Sequence, residues 1–231
     1  MTAAGKAGPV VTLDGPAGSG KSTTAREVAR RLGFRHLDSG ALYRALTVAL
    51  LESSIPETAW NAISVEELQA LGVRVEPTTY DLAVYLGDRT LGAELRTPEV
   101  TALVSPLAKV PAVRGALLEL QREAGREGRL VADGRDMGTV VFPDAEIKIF
   151  LVADLRERAR RRLLEQGHLP SQAAVETEAA RIAERDERDS RRDLSPLCRP
   201  ADAVDVDTTH CSFDEQVARI VALVEEWMDR R

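Results

Sequence analysis

The chain alternates between short, continuous apolar runs and longer stretches in which apolar residues recur every three or four positions. The first pattern predicts buried parallel strands and the second predicts helices that cover them. Residues 9–14 form such a run, β-branched and apolar, and it stops at Gly15. Ala25, Val28, Ala29 and Leu32 then mark one face of a helix over 21–32, with Gly33 as its C-terminal stop. A second short strand is predicted over 34–37. A helix follows over 39–51, its N-cap either Asp38 or Ser39.

From about residue 60 to about residue 96 the period changes to two. Residues 73–76 and 82–86 read as strands and Gly87-Asp88 as a turn, so a small antiparallel insertion is predicted here. Thr97-Pro98 and Val110-Pro111 open two helices, since proline suits a first helical turn. Strands are predicted again over 129–133, 148–152 and 203–207. The stretches 155–164 and 173–192 read as densely charged helices, and 213–228 as an amphipathic closing helix. This alternation implies an α/β fold with a parallel sheet covered on both faces.

Composition narrows the class. With 231 residues, 44% hydrophobic and 29% charged, the chain can bury one sizeable core. A net charge of −6 excludes a bulk nucleic-acid binder. The only lysines are Lys6, Lys21, Lys109 and Lys148; the remaining cations are arginines, whose planar fork suits phosphate. Cys198 and Cys211 do not make a disulfide framework. Residues 1–8 are small and polar, unlike a signal peptide, and no stretch approaches the ~18 apolar residues of a membrane span. A cytoplasmic location and a monomeric state are the expectation.

The chemistry begins at Gly15-Pro16-Ala17-Gly18-Ser19-Gly20-Lys21-Ser22, which satisfies G-x-x-x-x-G-K-[ST] between an apolar strand and an amphipathic helix. Glycines let consecutive N–H groups face one anion, and the helix N-terminus adds partial positive charge. Lys21 reaches β- and γ-phosphates and the Ser22 hydroxyl can ligate Mg²⁺. With Thr23, these residues are the expected site for the phosphates of ATP. No Asn/Thr-Lys-x-Asp element of a GTPase is present.

Three further groups carry candidate chemistry, the first two at the ends of predicted strands, where ligands of open α/β sheets bind. The first runs from Asp38 and Ser39 to Tyr43 and Arg44; it is either a plain helix cap or an anion site, and Ser39 is placed to cap. The second is Asp133-Gly134-Arg135-Asp136-Met137-Gly138. Asp133 is a candidate Mg²⁺ ligand, and Arg135 with Asp136 either addresses a ligand or forms a pair of its own. In the third, Arg181, Arg185, Arg188 and Arg192 fall on one helical stripe. Alone, it is a solvated face laced by pairs such as Glu184–Arg188 and Arg185–Asp189. Beside a phosphate loop it reads as a lid closing over phosphates.

Together these stretches resemble the bacterial-type cytidylate kinases, P-loop nucleoside monophosphate kinases that use ATP to phosphorylate CMP and dCMP. The resemblance rests on Asp14-Gly15-Pro16 with its loop, on Asp38-Ser39-Gly40-Ala41-Leu42-Tyr43-Arg44, on Arg96-Thr97-Pro98-Glu99-Val100, on residues 132–143 and on Glu184-Arg185-Asp186 through Asp189. It implies a core over 1–59 and 108–231 with a five-stranded parallel sheet, a monophosphate-binding insertion over 60–107, and a helical lid over about 155–195. The family's CMP contacts fall here on Ser39, Tyr43, Arg44, Ser105, Arg114, Arg135, Asp136, Arg185, Asp189 and Arg192. Lys21, Arg135, Arg185 and Arg188 are the expected catalytic residues. Mg²⁺ is expected at Ser22 and Asp133, although the family tolerates glycine at the position of Ser22. ATP, CMP and dCMP are the expected small-molecule partners, with no nucleic acid and no membrane. Other small-molecule P-loop kinases, of UMP, AMP or shikimate type, are the alternatives, together with a nucleotide-gated interaction protein. His36, His168 and His210 sit in no base-like constellation and read as structural or surface residues.

Overall fold

The structure is a computed structural model that describes residues 7–230. Lys6 and most of the polar stretch 1–8 lie outside the described residues. Five parallel strands form the main sheet: β1 (Val10–Asp14), β2 (Arg35–Asp38), β6 (Leu130–Gly134), β7 (Ile147–Val152) and β8 (Val204–Asp207), in the order β2-β6-β1-β7-β8. β1 is buried along its whole length at the centre. Its alternation sorts the two faces. Val11 and Leu13 pack with Ala25, Val28 and Ala29 of α1 (Lys21–Leu32) and with Val217, Ile220 and Val224 of α8 (Phe213–Asp229). Val10 joins a larger cluster on the other face, with α2 (Ser39–Glu52), α4 (Pro98–Leu107) and α5 (Pro111–Ala124).

The insertion carries α3 (Val65–Ala70) and an antiparallel sheet of β3 (Val73–Pro77), β4 (Leu82–Leu86) and β5 (Arg89–Thr90). Its apolar residues, among them Trp60, Leu68, Val84 and Leu95, belong to the same cluster as α2 and α5. It therefore leans on the core through a shared apolar interior rather than a separate one.

Two charged helices, α6 (Leu155–Glu165) and α7 (Gln172–Ser190), pack against each other where the lid was expected. Ala17 of the phosphate loop packs against Ala159, Ala179 and Ile182 of these helices. Register places the carboxyl ends of three strands side by side: Asp38 opposite Asp133, and Asp14 opposite Gly134. The phosphate loop, the 38–44 segment and the 133–136 turn all line one cavity above those ends. Among the described residues, no single helix is long and apolar enough to cross a membrane.

Candidate active site

The donor loop is built from backbone. Gly15 has φ 151°, and a β-carbon there would collide with the carbonyl oxygen of Leu151. Gly18 and Gly20 hold left-handed conformations, which turn the loop into α1. Gly20 is the N-cap, and no side-chain cap satisfies the first-turn amides among the described residues, which suits them to an anion. Lys21 folds back, its Nζ donating to the Pro16 carbonyl at 2.7 Å. Burial, then repulsion from Arg135, pushes the lysine well below its ordinary pKa. An anion in the loop relieves both. The Ser22 hydroxyl donates to Asp133 at 2.6 Å.

A cavity of about 650 Å³ opens beside this loop. Ala17, Gly18, Gly20, Lys21, Ser22 and Thr23 line it on the donor side; Gly15, Pro16 and Ser19 shape the loop behind it. All ten residues expected to hold the acceptor line the same cavity: Ser39, Tyr43, Arg44, Ser105, Arg114, Arg135, Asp136, Arg185, Asp189 and Arg192. Asp133 lies between the two sides.

The cavity wall across from the loop is braced by charge pairs between distant elements. Arg135 and Asp136 do not pair with each other. Arg135 Nε donates to Asp189 of α7 at 3.0 Å, and Asp136 is ion-paired with Arg114 of α5. The Arg114 guanidinium lies over the Tyr43 ring, 5.6 Å from its centroid. Burial pushes the Tyr43 hydroxyl up to about 12, so it stays a neutral donor. The Gln121 amide donates to Ser39 Oγ at 2.7 Å.

Cations outnumber their partners. Burial and Arg135 bring Arg185 down to about 10, and burial and Arg96 lower Arg44. Arg185 Nε and Arg192 Nη2 are buried with no hydrogen-bond partner among the described residues. Buried guanidinium nitrogens without acceptors call for a polyanion.

Two expectations are corrected. Ser39 does not cap α2; the Asp38 carboxylate does, accepting from the Ala41 amide at 2.9 Å, which leaves the Ser39 side chain for the cavity. The arginine stripe does not act as a unit either. α7 buries Glu178, Ala179, Ile182 and Asp189, and on a helix turning about 100° per residue Arg188 lies roughly a third of a turn from the centre of that face. Arg181 and Arg188 are exposed and pair back to Glu178 and Glu184. Only Arg185 turns in from the helix. Arg192 reaches the cavity because α7 has already ended at Ser190.

Sequence reasoning missed four features. His36 is fully buried, one ring nitrogen 2.8 Å from Asp133 and the other 3.1 Å from Asp81 of the insertion. Burial alone would lower its pKa, but the two carboxylates outweigh that and raise it to about 9. Arg26, held by Asp81, lines the cavity, as does Arg162 of α6, paired with Glu178 at 2.8 Å. Arg158 donates to the Ala17 carbonyl and to Asp186, which itself accepts from the Ala17 amide at 2.7 Å. This clamp fixes α6 and α7 on the phosphate loop. The one visible signal for His36 was its place inside the short strand predicted over 34–37.

Asp14 accepts from the Met137 and Gly138 amides at 2.9 and 2.7 Å, and burial raises it to about 6. It holds the 134–138 turn against β1.

A family model described as cytidylate kinase matches residues 11–226. A cytidylate kinase of Salinibacter ruber is 45% identical over 221 residues, covering 94% of this chain and 96% of its own. One from Acholeplasma laidlawii is 41% identical over 219 residues, with 95% and 96% covered. A bifunctional pantoate ligase/cytidylate kinase of Synechococcus sp. is 45% identical over 230 residues, which span 95% of this chain and 43% of that protein. Among solved structures, a shikimate kinase from Acinetobacter baumannii covers 96% of this chain and 95% of its own at 15% identity and a TM-score of 0.48.

Proposed function

The chain belongs to the cytidylate kinase family, and from that premise we propose that it transfers the γ-phosphoryl group of ATP in line to CMP and dCMP, giving ADP with CDP or dCDP. The observation that carries the reading is the single cavity that joins the phosphate loop to a second, arginine-lined anion site. A nucleotide switch needs the first site and has no use for the second.

The acceptor is already an anionic oxygen, because a phosphate monoester has its second pKa near ~6. No protein base is required, and the work is positioning and charge neutralisation. Lys21 and the loop amides hold the β- and γ-phosphates. Arg44 and Arg135 fix the acceptor phosphate; Arg185 and Arg192 bring unpaired donors to charge that spreads over the transferring group. Ser39, Arg114 and Asp136 offer both donors and acceptors to a cytosine edge, so uracil leaves buried groups unmatched. The Ser22–Asp133 pair supplies two hard oxygen donors beside Lys21, which would suit Mg²⁺. An ion held there would supply charge neutralisation to the donor's phosphates. The helices of the lid exclude water, the competing nucleophile. We read the protein as a monomer working in the cytoplasm.

Coupled ADP release measured with CMP, dCMP, UMP, AMP, shikimate and no acceptor tests this. Release should depend on an acceptor and be fastest with CMP or dCMP. Equal release without acceptor, or preference for AMP or shikimate, overturns it.

A further inference from the structure

Among the described residues only two non-glycine residues hold left-handed backbones, Arg129 at φ 49° and Ser195 at φ 50°. Such conformations persist where the surroundings over-determine them, often beside functional groups. Arg129 is remote from the cavity, stacked over the Phe34 ring and bonded to the Gly33 carbonyl. Ser195 is not remote. It lies in the segment that leaves α7, and that segment is hooked back on the helix end. The Leu197 amide donates to the Asp189 carbonyl at 2.8 Å, and Arg192 Nε donates to the same oxygen at 3.2 Å.

In this posture Ser195 Oγ accepts from Arg114 Nε at 3.1 Å, across 81 residues of chain. The other two nitrogens of that guanidinium are held elsewhere: Nη1 donates to the Ala108 carbonyl at 3.3 Å, and Nη2 meets Asp136. Three partners from three segments surround one planar group. Asp136 alone would leave the guanidinium free to swivel about its stem. A third partner at Nε fixes the plane, and the left-handed backbone is what carries the hydroxyl there.

We propose that Ser195 is a positioning residue that sets the orientation of Arg114 for the acceptor nucleotide, and that it ties the exit of the lid helix to the acceptor wall. The inference rests on Arg114 being an acceptor-binding residue, as argued above.

The test separates hydroxyl from backbone. Ser195→Ala removes Oγ and keeps the strained backbone; Ser195→Gly removes Oγ and relieves it. In both, KM for CMP should rise about 3–10-fold, with kcat and KM for ATP within about twofold, as for loss of one ordinary hydrogen bond. Thermal melting should diverge, the glycine variant at or above wild type and the alanine variant at or below it. A CMP effect shared by two variants of opposite stability belongs to the hydroxyl. If KM for CMP stays unchanged in both, or follows melting temperature, the role assigned to Ser195 is refuted while CMP kinase activity stands. If the wild-type enzyme shows no saturable dependence on CMP, the acceptor reading falls, and this proposal with it.

Discussion

The proposed donor and acceptor halves of the cavity are built on opposite plans. The donor half is eight consecutive residues, Gly15-Pro16-Ala17-Gly18-Ser19-Gly20-Lys21-Ser22, whose chemistry is mostly backbone amides and one cation. The acceptor half takes Ser39 and Arg44 from α2, Ser105 from α4, Arg114 from α5, Arg135 and Asp136 from the turn after β6, and Arg192 from beyond α7. Nothing local holds it. It is cross-braced by Arg135–Asp189 and Arg114–Asp136, pairs that exist only in the folded chain. A backbone cradle depends on turn geometry, whereas a braced wall depends on every member of each pair.

The largest expected effect is on the donor side. Lys21→Ala should lower kcat by on the order of 10³ or more, because no other side chain of the loop carries charge, while circular dichroism stays unchanged. Normal turnover in that variant would break the comparison at its first term. Next comes the acceptor wall. Asp136→Ala leaves Arg114 buried without its counter-charge, and KM for CMP should rise on the order of 10²-fold, with KM for ATP nearly unchanged. Equal losses for both nucleotides would show that the halves are not separately built.

His36 joins the two plans, since it ties Asp133 beside the donor loop to Asp81 of the insertion. Its folded pKa of about 9 stands above the ordinary 6.5. The contribution to stability is therefore fully present below pH 6.5 and is lost as pH rises through 9. The difference corresponds to roughly 3 kcal/mol for this buried group. Urea unfolding of wild type and His36→Gln between pH 6 and pH 9.5 measures it. Wild type should lose that extra stability across the window, and the variant should not. Parallel curves would remove His36 as the link.

The same contrast explains what could be read from the sequence. The strands, the phosphate loop and the α/β alternation depend on neighbours a few residues apart, so their spacing shows directly. The acceptor residues were reached through a resemblance spread over the whole chain, and their partners were not. Whether Asp136 meets Arg114 or Arg135 depends on how α5 packs against the β6 turn. His36 meets Asp133 across 97 residues only because β2 sits beside β6 in one register. Arg158 meets Ala17 across 141 residues for an equally nonlocal reason. Within α6, Arg156, Arg158, Arg160, Arg161 and Arg162 look alike in sequence, and only the docked helix separates the clamp from the cavity wall and from the surface pairs.

The smallest predicted effect draws the sharpest line inside that wall. Arg185 and Arg188 are three residues apart on α7 and belonged to one stripe by spacing alone. Arg185 is half-buried in the cavity wall with a buried, unpartnered Nε, whereas Arg188 is exposed and leans back toward Glu184. Arg185→Ala should therefore lower kcat by on the order of 10², the loss of one charged donor to the transferring group. Arg188→Ala should change kcat and both KM values by about twofold or less, the range of an exposed i,i+4 pair. Comparable losses in the two variants would mean that α7 rolls during turnover to bring Arg188 inward, and the wall would then be completed by motion rather than by the cross-bracing already in place.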